Sequence, residues 1–334
     1  MARPSIDPAV WRPPPAPARA RQQRSARPLP PLRLLDVVGR GPEDVLVDLE
    51  GRVLTGVTDG RVLRLAPDNR RVEVIADTGG RPLGLEWLPD GALLVCDAHR
   101  GLLRVDVDTG RVTTLVSDVD GEPMRFCNNA AVAGDGTVYF SDSSRRFGIE
   151  AWKADLLEHS GTGRLLRRGL GAEVTVLLDG LQFANGVALA PDGSFVVVAE
   201  SGAYRLTRLW ITGPRAGESE VFADNLPGFP DNISTGTDGL IWVALGSPRD
   251  RTLDRLLPLH PRLRQLVWRL PERLQPSPRT TVWVYALSPD GEVVHDLQAP
   301  GERFHLVTGV REQHGTVHTG SLIGDSVALF DLPR

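Results

Sequence analysis

Residues 185–200 read NGVALAPDGSFVVVAE. Two apolar runs with period-two alternation flank a Pro-Asp-Gly turn, which is a β-hairpin signature. The pattern recurs as EDVLVDLEGRVLTG from Glu43, LGLEWLPDGALLVCD from Leu83 and NNAAVAGDGTVYFSD from Asn128. It returns as DNISTGTDGLIWVAL from Asp231 and VTGVREQHGTVHTGS from Val307. The turn glycines are Gly51, Gly91, Gly136, Gly193, Gly239 and Gly315, spaced 40, 45, 57, 46 and 76 residues apart. Four-stranded propeller blades recur every ~40–50 residues. Second hairpins lie between the marked ones, as in GRVLRLAPDNRRVEVIA from Gly60. Six copies of a double hairpin predict an all-β, six-bladed β-propeller over residues 37–334; a pair of β-sandwiches would not repeat one motif six times.

The two long spacings mark short helical insertions. One is IEAWKADLLEHS at 149–160. The other covers about 251–275, where Leu253, Leu256 and Leu257, then Leu263, Leu266, Val267 and Leu270 follow helical spacing. That spacing predicts one amphipathic helix, or two broken at Pro258 and Pro261. The insertion reads as a cap packed on the propeller, with a lid or a lipid-contacting surface as the other readings.

Eight residues before each turn glycine stand Glu43, Leu83, Asn128, Asn185, Asp231 and Val307. These positions start the innermost strand of each blade and should converge on the channel axis. Asn and Asp are poor strand formers, so sheet packing does not ask for them there. Two carboxylates and two amide oxygens form a hard-oxygen set of charge −2, suited to Ca²⁺ or a similar divalent cation. Without a cation, Glu43 and Asp231 would repel each other.

Composition sets the remaining limits. The chain has 334 residues, with Gly 35 and Pro 27, so it turns often and long helices cannot dominate. A net charge of −4 gives no reason to expect a nucleic-acid partner. Two cysteines, Cys96 and Cys127, cannot build a disulfide framework. Residues 1–36 are a Pro/Arg-rich arm without a secretory h-region; it reads either as an extended arm anchored by Trp11 or as a disordered tail. No apolar run reaches the ~18 residues of a membrane span, although peripheral membrane contact stays open. Free thiols and no export signal make the cytoplasm the expected compartment.

The motifs GPEDV (41–45), FCNN (126–129), YFSDSS (139–144), FANGVALAPDGSFVVVAES (183–201), LPGFPDNI (226–233) and RLRQLVWRLPE (262–272) resemble the strictosidine synthase-like and adipocyte plasma membrane-associated protein family. Its wider relatives are the gluconolactonase and paraoxonase propellers. The resemblance implies a propeller with an axial Ca²⁺ held by Glu43, Asn128, Asn185 and Asp231, and esterase or lactonase chemistry. In the paraoxonase-like members, the Asn after the Asp also faces the ion, here Asn232. A second, structural ion there uses the positions of Asp44 and Asn129, and Asn129 stands where those members carry Asp. True strictosidine synthases place a catalytic Glu four residues before the Glu of the E-x-x-G turn, and here that position is Thr308.

These readings predict a metal-dependent hydrolase of lactones or carboxylic esters acting on a small-molecule substrate. Asp231 is the candidate general base, and His305 is the histidine best placed for the pocket. Tyr204 and Arg205 are candidates for the mouth, and Cys127 for a nucleophile. The alternatives are a non-catalytic, metal-stabilised ligand-binding propeller and a condensing enzyme. Thr308 speaks against the latter. So does the scarcity of amines, since Lys153 is the only lysine.

Overall fold

A computed structural model describes residues 3–68 and 70–333. Six four-stranded antiparallel sheets follow one another along the chain. Their innermost strands are Leu46–Val47, Pro82–Trp87, Cys127–Val132, Ala184–Leu189, Gly228–Thr235 and Val307–Gln313. Each inner strand touches that of a neighbouring blade, so the six surround a common axis. Apolar clusters sit between consecutive blades; Trp242 and Trp283 are fully buried in them.

The expected boundary at residue 37 falls short. Arg33–Asp36 is the outermost strand of the sixth blade, paired antiparallel with Ser326–Asp331. The ring therefore closes with hydrogen bonds between segments from opposite ends of the described chain.

The arm before it is extended and bound, as the Trp11 anchor reading expected. Trp11 stacks on His159 with ring centroids 4.2 Å apart. Its amide donates to the Leu257 carbonyl. Further along, Arg19 grips Asp296 with two hydrogen bonds of 2.5 and 2.7 Å.

Both insertions are helical and meet over one end of the channel. The first is α1 (Trp152–Glu158). The second forms two helices, α2 (Arg251–Leu256) and α3 (Pro261–Arg269), and Pro261 opens α3 where its missing N–H costs nothing. Leu253 and Leu257 are buried against α1 and the arm. Leu263 and Leu266 are not: the apolar face predicted to pack inward points outward in α3. Arg264 and Trp268 take the inner face instead, because they satisfy carbonyls left free by the extended arm and by the last turn of α1. The Arg264 guanidinium donates to Leu157 and Ala9, and the Trp268 indole to Pro4.

Candidate metal and substrate site

Each inner strand enters the channel through the same device. The register of five blades skips at one dipeptide: Leu83–Gly84, Asn128–Asn129, Asn185–Gly186, Asp231–Asn232 and Thr308–Gly309. Glu43–Asp44 stands at the corresponding place before Leu46–Val47. Such a bulge re-aims a side chain out of the sheet. All six first members, Glu43, Leu83, Asn128, Asn185, Asp231 and Thr308, line one cavity.

This corrects the sixth axial position. Val307 is fully buried between blades, and Thr308 takes its place. The last hairpin pairs Gln313 with Thr316 around a two-residue turn, whereas Val132 pairs with Val138 in the third blade. Counting back from the turn glycine therefore misses by one residue.

Acids at the ends of the second strands fix these entries. Asp97 accepts from the Arg81 amide, Asp142 from the Phe126 amide and Glu200 from the Gln182 amide. The following residue then orients the axial side chain. Asn128 donates its amide to Ser143 Oγ at 2.9 Å, and Asn185 donates to Ser201 Oγ at 3.1 Å. With the nitrogens so held, the oxygens must face the other way. The Oδ1 atoms of Asn128 and Asn185 are buried and have no hydrogen-bond partner among the described residues. Asn232 donates to both carboxylate oxygens of Glu43 at 3.1 Å, and its Oδ1 is likewise unpartnered.

Burial is the main force that pushes the Glu43 carboxyl up from its usual range, helped by the charges of Asp231 and Asp44. Asp231 is pushed up to about 7, again mainly by desolvation. Two orphaned amide oxygens, those of Asn128 and Asn185, beside two destabilised carboxylates make an electron-rich cavity floor lacking only positive charge. Glu43, Asn128, Asn185 and Asp231 fit a hard divalent cation, with Asn232 steadying Glu43. Among the described residues no three His, Cys, Asp or Glu side chains gather as a metal set, so the donor set depends on its amides.

At the position of the second ion the polar side chains bond within the protein. Asn129 donates to Asp44 at 3.3 Å and accepts from the Val187 amide at 2.9 Å, so both ends of its amide are used. The half-buried Arg311 guanidinium also lowers the Asp44 carboxyl, against the burial that sets it near 6.

Above the floor, Leu83, Phe126, Trp152, Phe183, Leu253 and Leu306 make apolar walls. Lys153 also lines the cavity, and Glu272 holds its ammonium at 2.8 Å. His305 is not among the lining residues; Leu306 and Thr308 face the cavity in its place, and the His305 carbonyl accepts from Ser321. Tyr204 is buried beneath the cap with its hydroxyl on Asp254, and Arg205 pairs with Glu200, so neither forms the mouth. Cys127 lies in the core, where burial pushes its thiol up, which disqualifies it as a nucleophile. The Thr308 hydroxyl donates to the Glu43 carbonyl at 2.7 Å, so this position offers no base. Ser143, Ser201 and the aromatic walls escaped the sequence reading. The two serines were legible in principle: each directly follows the acid that ends its second strand.

The fold and site together define a six-bladed propeller with an oxygen-rich axial floor under a helical cap. The strictosidine synthase profile matches residues 128–214, and that of the strictosidine synthase-like N-terminal region matches residues 29–65. Protein strictosidine synthase-like 3 of Arabidopsis thaliana is 34% identical over 333 residues, covering 90% of this chain and 85% of that protein. Adipocyte plasma membrane-associated protein of Rattus norvegicus is 33% identical, covering 86% and 82%. The chain belongs to the strictosidine synthase-like family. Among solved structures, a gluconolactonase from Xanthomonas campestris superposes with a TM-score of 0.66 at 18% identity, covering 100% of this chain and 98% of that one. A calcium-binding regucalcin from Agrobacterium tumefaciens gives 0.63 at 15% identity, covering 91% and 94%. At these identities they share the fold.

Proposed function

We propose that this protein is a divalent-metal-dependent hydrolase, with Ca²⁺ as the fitting ion, for lactones or carboxylic esters with a largely apolar body. The observation that carries the reading is the set of unpartnered, buried amide oxygens beside Glu43 and Asp231 at the floor of an apolar cavity. Glu43, Asn128, Asn185 and Asp231 would hold the ion. A bound divalent cation supplies Lewis-acid polarisation of the carbonyl and stabilisation of developing negative charge. The apolar walls orient the substrate body and exclude water from it.

Asp231 is the chain's proton acceptor for the attacking water. Of the two axial carboxylates it is the more exposed to the cavity, since Glu43 is buried and tied to Asn232. The gluconolactonase resemblance in shape supports the reaction class, and the calcium-binding regucalcin supports the ion.

Hydrolysis of an aryl ester and a simple lactone, measured with Ca²⁺ and with chelator, tests the reading. Activity should need the metal, and Asp231→Ala should remove both turnover and metal binding. Chelator-insensitive hydrolysis, or an unchanged rate in the variant, would sink the assignment. Metal that raises the melting temperature without any turnover would instead favour a ligand-binding propeller.

A further inference from the structure

Helix α3 is mounted with its apolar stripe facing solvent. Leu263 is 44% exposed and Leu266 59% exposed, while the inward face carries Arg264 and Trp268. Leu259, 44% exposed, precedes the helix, and Leu274, 61% exposed, follows it. Four large exposed hydrophobics thus fall within sixteen residues. Elsewhere, exposed side chains such as Leu49 and Leu170 stand alone in blade turns, which is ordinary for a surface. Burying these leucines is not blocked by length: α3 could have rolled them inward. The arm fixes its roll through Arg264, Gln265 and Trp268, which bond to Ala9, Ile6 and Pro4. The outward face is therefore a held arrangement.

Charge says what this face fits. Arg262 and Arg269 share the exposed side of α3 with the leucines, and Arg251, Arg255 and Arg273 are exposed on the same insertion. Its two acids, and Asp250 just before it, are already engaged. Asp250 caps α2 through the Leu253 amide, Asp254 holds Tyr204 and Arg249, and Glu272 holds Lys153. An apolar stripe rimmed by unneutralised arginines, on a short helix lying across a domain surface, is the form of an interfacial membrane anchor. A protein partner with an acidic, apolar groove shares part of this chemistry, and flotation on vesicles separates the two.

We propose that the outer face of the 251–275 cap docks on anionic phospholipid bilayers, with Leu259, Leu263, Leu266 and Leu274 entering the headgroup boundary. The chain runs from Leu274 straight into Gln275, Pro276, Ser277 and Pro278, which line the cavity. Docking would therefore bring the cavity rim to the lipid surface. The inference stands whether or not the cavity hydrolyses esters.

Vesicle flotation of the full chain tests it, using phosphatidylcholine vesicles with and without phosphatidylserine. Binding should require phosphatidylserine, weaken as salt rises, and fall at least roughly tenfold in the double variant Leu263→Glu/Leu266→Glu. The pair Arg262→Glu/Arg269→Glu should also release the protein. Leu49→Glu, a change at a fully exposed leucine on a blade turn, should leave flotation unaltered, and all three should melt as the parent does. No flotation, or flotation that the leucine variants do not change, overturns the proposal. So does equal binding to vesicles without phosphatidylserine. A dimer seen by light scattering and split by Leu263→Glu/Leu266→Glu, without flotation, would assign the face to a second copy of the chain and overturn it as well.

Discussion

At the residue scale, the proposed metal site turns on which end of an amide faces the axis. An Asn side chain has one donor end and one acceptor end of nearly equal shape, so a neighbour must decide. Ser143 and Ser201 make that decision for Asn128 and Asn185 by accepting from their nitrogens. Losing such a support shell typically weakens metal binding ~10–100-fold. Ser143→Ala should therefore lower Ca²⁺ affinity by about that factor in calorimetry, with little change in the melting point of the metal-free protein. In an Asn128→Asp background the same change should matter far less, because a carboxylate has no wrong end. Equal losses in both backgrounds would mean that Ser143 acts some other way. The sequence announced Asn128 and Asn185 through their shared phase. The serines' place after the strand-ending acids was visible in it, but their role was not, because it depends on a hydrogen bond across two strands.

At the element scale, the channel is built from bulges that alternate in bulk. The second members of the six dipeptides are Asp44, Gly84, Asn129, Gly186, Asn232 and Gly309, so a polar side chain and a glycine take turns around the ring. Each glycine leaves space for the polar residue of the next blade. A Cβ on Gly186 would stand 2.1 Å from the Ile233 nitrogen, and one on Gly309 would stand 2.7 Å from Asp44 Cα. Backbone cannot yield there as a side-chain tip can. Gly186→Ala should cost about 1–3 kcal/mol or more in chemical denaturation, and it should also weaken metal binding by displacing Asn185. An unchanged midpoint would show that blades four and five can move apart. The arm gives a second test. Trp11 covers His159, and Arg264 bridges the arm to α1. Trp11→Ala should loosen the cap, seen as faster proteolysis within 251–275, while the propeller itself resists cleavage.

At the scale of the whole molecule, electrostatics links the site to stability. In the metal-free protein Asp231 holds its proton up to about 7 and Asp44 up to about 6, and Glu43 is raised as well. The unfolded chain releases those protons nearer 4. The folded state therefore binds more protons across this window, and metal-free stability falls as pH rises through it. A cation needs the ionised carboxylates, so it relieves this cost and competes with the protons. The gain in melting temperature from Ca²⁺ should grow as pH rises from about 5 to about 7. Buried His159 and His318, both lowered to about 4, work in the opposite direction, but they do so with and without metal and cancel in the difference. A gain independent of pH would argue that the axial carboxylates are not the ligands.

The sequence by itself determined the six-fold hairpin repeat, the propeller and four axial oxygen donors, because strand periodicity and turn glycines are local properties. It also located both helical insertions. Only the tertiary structure decided that residues 33–36 close the ring, that Thr308 rather than Val307 reaches the cavity, and that His305 does not. Strand closure and register are set by pairing between distant segments, and a shorter turn shifts them by one residue without leaving a mark on composition. The roll of α3 was likewise beyond the sequence. Its helical periodicity named an apolar face, but the carbonyls of a distant arm chose which face turned inward.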